Sequence, residues 1–423
     1  MRHILVLAML LGGLTPAEAA REQLTIGVGS FPSSLHPYID PEAVKGYILG
    51  FTERTLTGLD ADWRNHCVMC TELPTLENGR VTLETRAGGA PGMAVRWTLR
   101  PDLFWDDGVP VTMADLAFTA KVGGNPASGF ASTRTWGRVE RVDIIDATTA
   151  VLHLDEPYSL YDRVGGLLSE HVEGPIVARA VEPGAYIRQT AFNRATMTPG
   201  LYNGPFRIVS YESGSQMVLE GNPAWKGAAP PFKRIVVRAI GNTAALMANL
   251  QSGDIDLAAE VSGLTIDQVL GLKEREPDRF TYLFQSALQY THIDFQLDNP
   301  MLADVRVRRA LLLGLDRAAI VKRLYGGHAE LASAWVPPRD PMFDSGLPVF
   351  SYDPAKARAL LAEAGWKPGE DGICRNAAGE KLSLVFQAVA GVKLVELVQQ
   401  VAQSQWKAIG IETVIKEIGR AHV

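Results

Sequence analysis

Acidic residues are the most numerous candidates for chemistry in this chain. Asp106-Asp107, Asp155-Glu156 and the pair Asp254/Asp256 stand close enough in sequence to share a site. Two carboxylates can divide the acid and base work of glycoside hydrolysis, although adjacent acids more often serve turns and helix caps. His66-Cys67-Val68-Met69-Cys70 sets two thiols at CxxC spacing, and Cys374 stands alone. The order HCxxC is not the CxxCH of haem attachment, and zinc would need two more ligands at a recognisable spacing. The pair is read as a local disulfide or as buried thiols, a bridge across so short a loop being labile. The eight histidines do not fall at metal-ligand spacing, so no metal and no cofactor is expected. Nucleophile-elbow, zincin, phosphate-loop and dinucleotide fingerprints are all absent, which argues against an enzyme.

One further segment carries donors, an acceptor and an aromatic ring. In Gln289 to Phe295, period-two geometry predicts a strand with Tyr290, His292 and Asp294 on one face. Thr291, Ile293 and Phe295 occupy the other, which suits a core. The polar face is either simply solvated or lines a ligand cleft.

The elements that would position these residues are well punctuated. Strands are predicted at Leu24 to Val28, Val95 to Leu99, Val142 to Ile145 and Thr149 to Leu154, and a hairpin joins Gly204 to Tyr211 with Gln216 to Leu219. Thr112 with Asp115 three residues on makes a capping box for a helix at Val111 to Ala120. A short helix is predicted at Thr243 to Gln251, Asp304, Asp316 and Asp353 cap three more, and Lys393 to Ala408 repeats apolar residues at helical spacing before Gly410. Ile411 to Ile415 follows as a strand. Strands and helices mix throughout, without internal repeats, so the class is α/β with at least two lobes.

Composition sets the outer bounds. The chain has 423 residues, 41 Lys plus Arg against 47 Asp plus Glu, and a net charge of -6. No basic excess exists to neutralise phosphates, so nucleic acid is excluded as a partner. Arg2-His3, an apolar run from Ile4 to Leu14, and Ala17-Glu18-Ala19 read as a signal peptide cleaved after Ala19. That run is too short to span a bilayer, which needs about 20 residues. With no cysteine near the cleavage site, export to the periplasm as a soluble protein, not a lipoprotein, is expected.

Five segments carry a resemblance in family order. They are Trp97-Thr98-Leu99-Arg100 with Phe104 to Gly108 and Val111 to Leu116; Gly204-Pro205-Phe206-Arg207-Ile208 with Gly221 to Trp225; Leu250 to Asp256; Asp304 to Ala310 with Leu315-Asp316-Arg317; and Tyr352-Asp353-Pro354 through Trp366. Together they resemble the family 5 extracellular solute-binding proteins of ABC importers, the dipeptide, oligopeptide and nickel class. The resemblance implies a type II periplasmic-binding-protein clamshell of the large peptide-binding class, closing on a peptide or related small solute. It implies delivery to an inner-membrane permease with its ATPase subunits, by a protein expected to be monomeric and not an enzyme. Positions matching cleft-lining places are His292 and Asp294, beside Tyr290 on the same predicted face, and the loop Ile39 to Glu42 with Ile39, Asp40 and Glu42 as candidates. Members often carry Asp-Pro where this chain has His36-Pro37. The resemblance divides the chain into a leader (1–19), a first lobe (20–260, with an inserted subdomain at about 51–200) and an incomplete second lobe (261–417). Residues 418–423 depart from the pattern, read like one frame of a sequencing adapter, and are expected to be a non-native tail. Two other classes remain open: an exported hydrolase using Asp106 or Asp107, and a ligand sensor coupled to a chemoreceptor.

Overall fold

The computed structural model describes residues 22–259, 263–284, 290–340, 342–390 and 392–418. The expected leader at 1–19 and residues 419–423 of the expected tail lie outside them. The described residues fall into two compact units, the first running to Leu264 except for Asp62–Arg64, which group with the second from Thr265 on.

The first unit is built on two sheets. One has five strands in the order Leu257–Ala258, Gln23–Val28, Arg234–Ala239, Gln216–Gly221, Phe206–Glu212. Its first two pairings are parallel and its last two antiparallel, the hairpin turning through Gly214 at φ 75°, a left-handed position open to glycine. The other sheet is antiparallel, in the order Val81–Thr85, Pro91–Thr98, Thr149–Leu154, Val139–Ile144. Its strands alternate as half-buried strands must: Val95, Trp97, Leu152 and Leu154 face the core, while Thr82, Arg96 and Asp143 face outward. Helix Met113–Gly123 starts on the expected capping box, with Ala114 N–H donating to Thr112 Oγ1 and Thr112 N–H donating to Asp115. Helices Ala43–Thr52 and Glu170–Arg179 complete the layer, and one core joins them through Ile48, Trp97, Trp105 and Leu116.

The motif residues hold this unit together. Asp106 is buried and its carboxylate accepts from the N–H groups of Gly200 (2.8 Å) and Tyr202 (3.1 Å). Asn222 Nδ2 donates to Gly204 O, and a Cβ on Gly204 would lie 2.5 Å from the backbone carbon of Thr52. Only glycine permits that approach. Cys67 and Cys70 form a disulfide with Cα atoms 5.0 Å apart, so the first of the two readings of the CxxC holds, while Cys374 is a buried free thiol.

The second unit has its own core. Helices Val305–Leu313, Arg317–Leu324 and Pro354–Glu363 begin at the predicted caps, where Asp304, Asp316 and Asp353 accept backbone N–H bonds. Helix Lys393–Ala408 covers one face of a parallel pair, Ser383–Val389 with Glu412–Ile418. Trp406 anchors it, buried against Leu311 and donating its indole N–H to Leu311 O at 2.9 Å. The opposite face leaves the paired Val385 and Val414 exposed.

The strand expected at Gln289 to Phe295 does not form over its described part. Residues 290–295 join no ladder, because alternation prescribes two faces but supplies no hydrogen-bonding neighbour. Part of the pattern is present: Ile293 and Phe295 pack against the second core while Tyr290, His292 and Asp294 are exposed, but Thr291, expected on the core face, is exposed as well. Among the described residues no helix is long and apolar enough to cross a membrane.

Candidate ligand-binding site

The loop that ends at Glu42 is built around a buried histidine and a buried lysine. His36 is 0% exposed and sits edge-on to the rings of Tyr38, Phe130, Tyr186 and Phe192. Tyr38 N–H donates to His36 Nδ1 at 3.1 Å, which leaves Nε2 to face the Tyr186 hydroxyl, also at 3.1 Å. Burial, reinforced by the charge of Lys45, pulls its pKa down to about 3, so the ring is neutral. The departure from the family's Asp-Pro is therefore a core residue here, satisfied from an element 150 positions away.

Lys45, on the first turn of helix Ala43–Thr52, points its ammonium back under the loop and donates to the carbonyls of His36 (2.9 Å), Ile39 and Asp40 (2.6 Å). Three convergent carbonyls suit a desolvated ammonium with three protons. They also bend the chain sharply, and Asp40 takes a left-handed φ of 49°. Aspartate tolerates that region better than branched residues do. Ser33 fixes the acids: its N–H donates to Glu42 Oε1 at 3.1 Å, and its hydroxyl reaches Glu42 and Asp40 Oδ2 (3.3 Å).

Among the expected loop residues, Asp40 is exposed and Glu42 partly so, both presenting carboxylate to solvent. Ile39 is corrected. Its side chain is 1% exposed and belongs to the core, and its carbonyl is taken by Lys45, so it has no surface to offer a ligand.

Two residues that the sequence did not single out lie at the far end of the same helix. Glu53 is partly buried, and burial pushes its carboxyl up to about 8, with Lys45 pulling the other way. Its Oε1 would lie 1.8 Å from a Cβ on Gly166, so a side chain there would displace that carboxyl, and Tyr38 OH donates to the Gly166 carbonyl at 2.5 Å. Arg54 follows, its backbone N–H held by Asn203 Oδ1 at 2.7 Å and its guanidinium 5.1 Å over the Trp225 ring. The only local signal for this pair is a charged Glu53-Arg54 step ending an apolar helix.

In the second unit the expected residues form a local cluster. The Tyr290 and His292 rings stack at 4.4 Å, and His292 Nε2 faces Asp294 Oδ2 at 3.1 Å. Stacked rings beside a carboxylate can take up a flat or cationic group.

The Asp106-Asp107 pair is engaged in contacts within the first unit. Asp107 Oδ2 lies 2.9 Å from His171 Nε2, and His171 Nδ1 lies 3.0 Å from Ser169 Oγ. That string of Ser, His and Asp has the residue types of a triad, but Ser169 is 0% exposed, so its hydroxyl cannot reach a substrate. Among the described residues no group of three His, Cys, Asp or Glu side chains is placed to hold a metal.

A mixed α/β chain in two units, each with its own core and an exposed polar cluster, has the architecture of the type II periplasmic binding proteins. The sequence model for bacterial extracellular solute-binding proteins, family 5 (middle region) matches residues 90–422, and the chain belongs to that family. A putative ABC transporter peptide-binding protein of Brucella ovis is 29% identical over 269 residues, covering 62% of this chain and 47% of that protein. The oligopeptide-binding protein AppA of Bacillus subtilis is 30% identical over 256 residues, 58% of this chain and 43% of its own length. The chain thus spans about half the length of the curated relatives it matches. Among solved structures, the oligopeptide-binding protein of Thermus thermophilus with a pentapeptide superposes with a TM-score of 0.64 at 29% identity, covering 95% of this chain and 73% of that one. NikZ of Campylobacter jejuni, with Ni(L-His), gives 0.71 at 22% identity, over 95% and 75%, a likeness of fold. Family members are extracellular or periplasmic solute-binding transport proteins.

Proposed function

We propose that this chain is the ligand-capture component of an ABC importer, taking peptides or related amino-acid-derived solutes in the periplasm and passing them to a membrane permease with its ATPases. The family match over residues 90–422 carries the reading, and the relatives named for peptide binding give its substrate class. In this reading the protein is exported by cleavage after Ala19, acts as a monomer, and performs no chemistry on its ligand.

Each exposed cluster, taken by itself, has chemistry that suits a peptide group. Asp40 and Glu42 offer fixed carboxylates to an amino group, and Tyr290 with His292 offers a flat surface to a side chain. Glu53 and Arg54 add an acid and a base at the end of the helix that carries the loop. Calorimetry with a library of di- to pentapeptides on the full-length protein tests this. Saturable binding that Asp40→Asn or Glu42→Gln weakens by about tenfold is expected. Indifference to every peptide, with tight binding of a metal chelate, overturns the substrate class.

A further inference from the structure

The antiparallel sheet of the first unit carries a groove on its outward face, about 390 Å³ in volume, lined by none of the residues expected to meet a peptide. Its shape follows from strand register. The two central strands place small residues outward, Ala94 and Val151, and these form the floor together with Ile145. The same two strands carry Arg96 opposite Val151 and His153 opposite Ala94, and these side chains, with Arg80, Glu84 and Asp143 from the outer strands and their ends, become the walls.

The walls differ in how their charge is satisfied. On one side His153 is held between carboxylates, with Nδ1 2.8 Å from Glu84 and Nε2 2.9 Å from Asp143, and Arg141 Nη2 lies 3.1 Å from both ring nitrogens. That wall is internally paired. On the other side Arg80 and Arg96 are directly opposite across the two strands, Arg96 N–H donating to Arg80 O at 2.7 Å. Like charges facing each other in a ladder are destabilising unless something neutralises them. Arg80 is paired with Glu72 and donates to Thr98 Oγ1 at 3.1 Å. The Arg96 guanidinium has no hydrogen-bond or ion-pair partner among the described residues. Thr82, beside it on the same face, adds a hydroxyl.

We propose that this groove is a binding site for a small organic anion, its carboxylate on the Arg96 guanidinium and its short apolar body on the Ala94–Val151–Ile145 floor. A guanidinium fork matches a carboxylate in two-pronged fashion, and the floor gives a few methylenes a place out of water. An inorganic oxyanion would meet Arg96 but leave the floor uncovered, so the ligand has both parts. The site is independent of the peptide-capture reading, and its residues are not among those proposed to hold a peptide.

Titration calorimetry of the full chain with hexanoate, and separately with inorganic phosphate, tests the assignment. Saturable one-to-one hexanoate binding is expected, tighter than that of phosphate and weakened about tenfold or more by Arg96→Gln. Lys233→Gln, which removes an equal charge at an exposed position of the other sheet, should leave hexanoate binding unchanged. Absence of saturable hexanoate binding overturns the site. Equal affinity for phosphate and hexanoate overturns the role of the floor, and equal weakening by Lys233→Gln shows attraction to net charge alone and overturns the role of Arg96. Thermal midpoints of the variants separate lost binding from lost folding.

Discussion

Protonating His36 inside the folded first unit would place a charge among four aromatic rings and beside Lys45, whereas the unfolded chain accepts that proton freely. Between about pH 3 and 6.5 the unfolded state therefore binds the extra proton, and stability rises with pH by up to about 1.4 kcal/mol per unit. Glu53 acts in the opposite sense. From 4.5 to about 8 the folded state keeps a proton that the unfolded state has released, so stability falls as pH rises. Asp106, Asp115 and Glu173, raised by burial, add to that second trend. His36 and Glu53 by themselves give a profile that climbs to about pH 4.5, runs nearly level to 6.5 and declines toward 8, and the three buried acids tilt it further downward above their ordinary values. Urea denaturation across pH reads it directly, and a decline persisting undiminished in Glu53→Gln would refute the assignment. At Asp40 the left-handed backbone gives a second expectation. Asp40→Val should destabilise by about 1–2 kcal/mol and Asp40→Gly by far less, as judged by urea midpoints.

Capping is the device that sets the elements, and it was the most readable. Thr112 with Asp115, Asp304, Asp316 and Asp353 each announce a helix start within four residues of sequence, and each is bonded as expected. Their loads differ, however. Thr112 serves its own helix alone, so Thr112→Ala should cost about 1 kcal/mol. Asp115 also accepts from Glu170 N–H at 2.9 Å and from the Trp105 indole, tying a second helix to the first. Asp115→Ala should cost about 2–3 kcal/mol, and equal thermal shifts for the two variants would contradict this. The site was less legible for the same reason that the caps were more so. Lys45 looks like any helix lysine until three carbonyls from the preceding loop converge on it, and His36 needs Tyr186 before it has a role. Residues 290–295 show the converse: their two faces could be read locally, while a ladder depends on a neighbour the segment itself does not specify.

At the scale of the molecule, two hydrophobic cores with no shared members predict two unfolding transitions in scanning calorimetry. Ile48→Ala should lower one and Leu311→Ala the other, each by about 2–5 kcal/mol of local stability. A single transition moved equally by both variants would show that the cores melt together. The five family segments were legible as a set because they are structural: Gly204, Asp106 and Asp353 make turns, braces and caps. That explains why they identify the family without identifying the ligand.

The ammonium of Lys45 has one more use, as a reporter. Buried under three carbonyls, it is shielded from amine-reactive reagents that would label surface lysines at once. Desolvation lowers its pKa only while it is covered, so once uncovered it hydrates and reacts as an ordinary lysine. The rate at which acetylation marks this single position, followed by mass spectrometry, thus becomes a clock for how often the acid-bearing loop lifts from its helix.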